Sequence, residues 1–246
     1  MPKFVIKPEE NTALNQMKES TPARVAVGRA GARPATEAWL QFRADHALAR
    51  DAVRNDFNQQ FMDFAAAQNL PVIQSQARDR SDFIAFPPKG KHVDEQTCQW
   101  LKLNCPINKD VQIVISDGLS ARAIEDNIDN VLPMLLGGLE QEDISYGTPV
   151  VVRYGRVAVA DQITHLLGAK LAIMLIGERP GLSAADSMSA YLTYGAGPNT
   201  ISSDRTVVSN IHSRGTLPVE AGAYIVQIAK RILSLKVSGV KLQKQS

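Results

Sequence analysis

The sequence predicts an α/β protein, and three observations predict it. Two stretches, VQIVIS (111–116) and KLAIMLIG (170–177), are continuous apolar runs of strand length, the pattern of strands covered on both faces. Helical patterns of 10–18 residues separate the strand-like runs of the C-terminal half, which argues for crossover connections and a largely parallel sheet. The N-terminal part carries a helix-period stripe instead. The expected architecture is a helical N-terminal region followed by a Rossmann-like, largely parallel sheet domain. Residues 1–20 are expected as a tail, 21–110 as the helical region and a connector, and 111–246 as the α/β domain.

Residues 1–20 are polar with a weak amphipathic pattern in Phe4, Val5, Ile6, Leu14 and Met17. A flexible tail and a docking or targeting helix both fit it. Thr36 is placed to cap a long helix, with Glu37 in its first turn. Trp39, Phe42, His46, Ala49 and Val53 recur at three- and four-residue spacing, and Phe57, Phe61 and Phe64 extend the stripe. Arg43, Arg50 and Arg54 fall on one line of another face. From Arg24 to Arg54 there are six arginines, no lysine and three acids. A solvated face and a partner interface both fit this, and the planar guanidinium suits bidentate contacts. Pro71, Pro87, Pro88 and Gly90 punctuate residues 69–110, whose one helical stretch lies near Glu95–Leu103.

After VQIVIS, Asp117-Gly118 turns the chain into a helix with Ile124, Ile128, Val131, Leu132 and Leu135 on one face, kinked or ended by Pro133. VVRYGRVAVA (151–160) predicts one or two short strands, and Asp161 starts a short helix that runs to Gly168. KLAIMLIG ends in the turn Gly177-Glu178-Arg179-Pro180-Gly181, and residues 188–194 form another strand pattern. Pro218 opens the last helix, with Ile225, Ile228, Ile232 and Leu235 as its apolar stripe.

Composition narrows the class. With 44% hydrophobic and 21% charged residues, the chain is ordinary globular protein, neither disordered nor fibrous. Twenty-seven Lys+Arg against 25 Asp+Glu give a net charge of +2, which demands no polyanion partner. The apolar runs fall short of the roughly 18 residues of a membrane span, and no signal-peptide pattern opens the chain. Cys98 and Cys105 are too few for a disulfide framework, so a soluble protein of a reducing compartment is expected.

Ligands of an open parallel sheet collect beyond the carboxyl ends of its strands. Two turns are placed there, Ser116–Ser120 and Gly177–Gly181; each joins glycine to a carboxylate that accepts hydrogen bonds. Simple turn chemistry fits either of them equally. The polar cluster from Asp204-Arg205-Thr206 to Ser209-Asn210-Ile211-His212 is a candidate third wall. Familiar reaction motifs are missing. Gly195-Ala196-Gly197 lacks the third glycine of a dinucleotide fingerprint, and no P-loop, H-E-x-x-H, G-x-S-x-G or D-x-H-x-x-G occurs. His46, His92, His165 and His212 are scattered, and His212 reads best as a hydrogen-bonded loop residue. The pattern is that of a binder without its own reaction machinery.

One set of motifs is specific. TPARVAVGRAGAR (21–33), ARDAV (49–53), VQIVISDGLSARAI (111–124), GERPGLSAADSMSAY (177–191), DRTVVSNIH (204–212) and GTLPVEAGAYIVQIAKRIL (215–233) together resemble the small subunit of ethanolamine ammonia-lyase. The resemblance runs from about residue 21 to the C-terminus. It implies an adenosylcobalamin-dependent radical enzyme that converts ethanolamine to acetaldehyde and ammonia. It also implies that a separate large subunit holds the catalytic barrel and the substrate pocket. The small subunit would close on the cofactor, whose own dimethylbenzimidazole stays on cobalt, and this chain would supply no catalytic residue and no metal ligand. The cofactor contacts it implies are Val157, Glu178 and Val207, with valine at 207 replacing the family's usual cysteine. A corrin is an amide-fringed apolar disc with one phosphate in its nucleotide tail, so apolar area and a few acceptors suit it. The family context implies a hetero-oligomer in the cytoplasm, within a bacterial microcompartment. Two other classes compete: a cofactor-free adaptor that assembles partner chains through its Arg-rich helix, and a self-sufficient α/β enzyme.

Overall fold

In the computed structural model, which describes residues 12–21, 23–25, 27–182 and 184–245, the chain opens with helix α1 (Thr12–Ser20). A two-residue hairpin follows, β1 (Arg29–Ala30) with β2 (Arg33–Pro34), then helices α2 (Thr36–Arg54) and α3 (Gln59–Ala67). Next come strand β3 (Val72–Gln74) and helices α4 (Arg80–Ala85) and α5 (Glu95–Asn104). The second half runs β4 (Val111–Ser116), α6 (Ala121–Glu125), α7 (Ile128–Gln141), β5 (Val150–Arg153), α8 (Val159–Leu167) and β6 (Leu171–Gly177). It ends with β7 (Met188–Tyr194), β8 (Arg205–Ile211), α9 (Pro218–Leu235) and α10 (Val240–Gln243).

Six strands make one sheet in the order β3-β5-β4-β6-β7-β8. The first four are parallel, and β7 and β8 add an antiparallel edge. The two apolar runs are its centre: β4 and β6 pair in register from Val111↔Leu171 to Ser116↔Ile176, and every residue of both is buried. Alternate side chains serve two cores, as a sheet covered on both faces requires. Ile113, Ile115, Ile173 and Leu175 pack with α7 and α9 on one face. Val114, Val152, Ala172, Met174 and Ile176 pack with α5 and α8 on the other. Of the α9 stripe, Ile225 and Ile232 are buried, whereas Leu235 is exposed.

Several expectations are corrected. Thr36 does not cap α2: Ala35 holds that position without a side-chain bond, and Thr36 is the first helical residue. The long stripe breaks at residues 55–58, where Asn55 turns extended and Asn58 caps α3 by accepting from the Phe61 N–H at 2.8 Å. Residues 69–110, read as a connector, contain β3, the parallel edge strand beside β5. Pro133 does not end its helix: the break falls at 126–127, and α7 runs through the proline. Residues 151–160 hold one strand, and their last two residues already belong to α8. The 204–212 cluster is strand β8, with a bulge where it pairs near Met188 and Ala190. The described part of the N-terminal tail is the helix α1, none of whose residues is buried; Phe4, Val5 and Ile6 lie outside the described residues.

Candidate functional site

Strands β4, β5 and β6 end at one edge of the sheet, and the loops that leave them meet there. The Ser116–Ser120 and Gly177–Gly181 turns touch: the Leu119 N–H donates to the Gly177 carbonyl at 3.0 Å. Gly118 has φ +51°, and a Cβ on it would lie 2.3 Å from the Gly177 carbonyl oxygen. A Cβ on Gly177 would lie 2.0 Å from the Ser120 carbonyl oxygen, so this backbone-on-backbone crossing needs both glycines.

The carboxylates of the two turns do different work. Asp117 is buried and turned inward. Its Oδ1 accepts from the Tyr154 N–H at 2.7 Å and the Ser116 hydroxyl at 2.9 Å, and its Oδ2 accepts from Arg80 Nη2 at 2.8 Å. Arg80 also donates to the carbonyls of Gly118 and Asn55, so this pair ties α4 and the end of α2 to the sheet edge. Burial pushes the Asp117 carboxyl up to about 6, while the Arg80 charge pulls it down. Here the turn-chemistry reading holds.

Glu178 faces the other way. Its N–H donates to the Ser187 carbonyl at 3.0 Å, which closes the 178–187 loop, and its Oε1 accepts from the Tyr191 hydroxyl at 2.6 Å. Burial and this bond raise the Tyr191 phenol above its ordinary value. Tyr191 on β7 pairs directly with Val207 on β8. Val207 is 45% exposed, and its neighbour Val208 is buried in the core on the α9 side, so Val207 stands on the opposite face. Val157, in the turn before α8, is half-buried and packs against the same apolar cluster as Tyr191. The structure thus sets Glu178 and Val207 beside Tyr191, and Val157 against the same apolar cluster.

Tyr191 and Ser189 of this face were missed by sequence reasoning, and Arg205 was named only as part of the polar cluster. Tyr191 lay in a strand pattern that said nothing of where its hydroxyl points. Arg205 ion-pairs with Asp161 of α8, and burial raises the Asp161 carboxyl against the pull of Arg205. The Nε of Arg205 and the hydroxyl of Ser189, a neighbour on β7, are buried with no hydrogen-bond partner. A long-range pair such as Asp161–Arg205 leaves no local spacing to read.

The third wall is corrected. As a seven-residue strand, β8 sets Arg205 and Ile211 about 20 Å apart. Its two polar ends therefore cannot line one pocket. His212 is a turn residue: its Nδ1 accepts from the Arg214 N–H at 3.3 Å, and its Nε2 donates to Asn210 Oδ1 at 2.9 Å. Cys98 and Cys105 are buried free thiols whose pKa values burial raises. Among the described residues no group of three or more His, Cys, Asp or Glu side chains is placed to hold a metal ion. No described helix is long and apolar enough to cross a membrane.

Fold and site together define a class: an α/β protein whose loop-built sheet edge presents one acceptor, Glu178, beside an open strand face. Comparison with known families makes it specific. The model of the ethanolamine ammonia-lyase light chain (EutC) family matches residues 11–243, and the chain belongs to that family. It is the small subunit of a lyase of ethanolamine degradation.

Proposed function

We propose that this chain binds adenosylcobalamin at an interface with the catalytic large subunit, and that the assembled enzyme converts ethanolamine to acetaldehyde and ammonia. The carrying observation is the convergence of Glu178, Tyr191 and Val207 on one open strand face, with Val157 on the same cluster. These residues fit a corrin: valines offer apolar area, Glu178 offers an acceptor for an amide N–H, and two buried polar atoms beside them lack partners.

The cofactor supplies the radical chemistry, and this chain supplies binding and orientation. Tyr191 holds Oε1 of Glu178, which leaves Oε2 for a corrin amide. Val157 and Val207 close on the apolar disc. With no thiol at 207, that contact is packing or main chain. Burial of the cofactor between two chains keeps water and oxygen from the reaction. In this reading residues 111–246 carry the cofactor face, 21–110 meet the large subunit, and the chain alone is inactive. Residues 1–20 serve as a tail or targeting segment, and the complex works in the cytoplasm, within a bacterial microcompartment.

One observation favours a second reading, the cofactor-free adaptor: α2 leaves Trp39, Leu40 and Leu48 exposed, a surface suited to other chains. Co-expression with the large subunit, followed by size-exclusion chromatography with adenosylcobalamin, separates the two. Corrin absorbance eluting with both chains is expected; a complex of both chains without colour means the adaptor. Glu178→Ala is expected to lower cofactor retention while the two chains still co-elute. Unchanged occupancy in that variant removes Glu178 from the site.

A further inference from the structure

Beside the proposed cofactor face lies a cavity of about 540 Å³, between α2 and the sheet-edge loops. Arg50 and Arg54 of α2, Arg156, Arg179 and His46 line it, and no carboxylate does. Among the described residues the side chains of Arg50, Arg54 and Arg179 make no ion pair or hydrogen bond, although acids are plentiful elsewhere on the chain. Arg156 is held in place: its guanidinium stacks 4.0 Å from the Phe83 ring centre, and one Nη donates to the Phe83 carbonyl at 3.1 Å. Its Nε is buried and has no partner. Burial, then the charges of Arg179 and Arg80, lower the pKa of Arg156 against the pull of Asp117. One fixed arginine and three exposed ones thus face a single concavity, and guanidinium forks match phosphate oxygens bidentately.

Position says which anion. Arg156 and Arg179 are the chain neighbours of Val157 and Glu178, so the cavity opens next to the corrin contacts. Its volume is that of a small-molecule site. We propose that this cavity receives the phosphodiester of the cofactor's nucleotide tail, gripped by Arg54 from α2 and Arg179 from the β6 loop. The proposal rests on the cobalamin reading above and makes the N-terminal helix part of the cofactor site.

The test uses the complex of the full chain with the large subunit and three corrinoids: cobalamin, cobinamide phosphate, and cobinamide, which lacks the phosphate. Binding is read by equilibrium dialysis and visible absorbance, without turnover. Arg54→Gln with Arg179→Gln changes two exposed residues and spares Arg156, which packs on Phe83. The double variant is expected to bind cobalamin and cobinamide phosphate roughly tenfold or more weakly, with cobinamide unchanged. An equal loss for all three, or no loss, overturns the proposal. Loss of the complex with the large subunit also overturns it, because the arginines then bind an acidic segment of that partner. If the wild-type complex binds no corrinoid at all, the cobalamin reading fails and this proposal falls with it.

Discussion

Asp117 shows how one residue's chemistry is decided by its surroundings. Its carboxyl is raised to about 6 by burial, although Arg80 sits 2.8 Å away. An acid whose pKa is higher folded than unfolded makes the folded state bind the proton more tightly. Its contribution to stability is therefore present below the unfolded pKa of about 4 and is lost as pH rises toward 6. Unfolding free energies of wild type and Asp117→Asn, measured from pH 4 to 7, are expected to show this. The wild-type value should fall relative to the variant by about 2–3 kcal/mol across that window. A pH-independent difference would mean that Arg80 keeps Asp117 ionised throughout. Glu178, an acid of the same sheet edge, is half-buried, and its Oε1 accepts from the Tyr191 hydroxyl. In the sequence the two looked alike, each a carboxylate beside a turn glycine. Which one turned inward depended on Arg80, 37 residues away from Asp117.

At the scale of elements, α2 and β8 departed most from expectation, for opposite reasons. The α2 stripe has a helical period, and α2 is a helix, yet only Ala52 of its residues is buried. Periodicity shows that a helix has an apolar face but not what covers it. Trp39, Leu40 and Leu48 remain 49%, 60% and 63% exposed in the chain by itself. Replacing these three residues by alanine is expected to change the unfolding free energy of the isolated chain by less than about 0.5 kcal/mol per site. The same variant should form less complex with the large subunit, measured by co-elution. A loss of stability above about 1 kcal/mol per site would show that the face packs inward in solution. Strand β8 hid behind its composition: Arg-Thr-Val-Val-Ser-Asn-Ile is too polar to announce a strand. An edge strand with one open face needs few apolar residues, because its backbone pairing with β7 supplies the rest.

Across the whole molecule, stability is concentrated in the sheet and its two cores. Amide hydrogen exchange is expected to be slowest in β4 and β6, every residue of which is buried, and fastest in α1, where none is. Binding of the large subunit should slow exchange in α2 most of all. Uniform protection along the chain would contradict this hierarchy. The α/β class, the two central strands, helix α9 and the turns at the carboxyl edge were legible in the residues, because period and apolar run length are local properties; the short α10 after the expected last helix was not. The family was legible for a related reason: long motifs are strings, and strings survive without coordinates. What remained hidden was everything set by contacts distant in sequence: the break that frees Asp56 to reach Arg80, the antiparallel pairing of Tyr191 with Val207, and the meeting of α2 with the 178–182 loop around four arginines. Such contacts depend on how helices and strands pack in three dimensions, and no spacing along the chain records that.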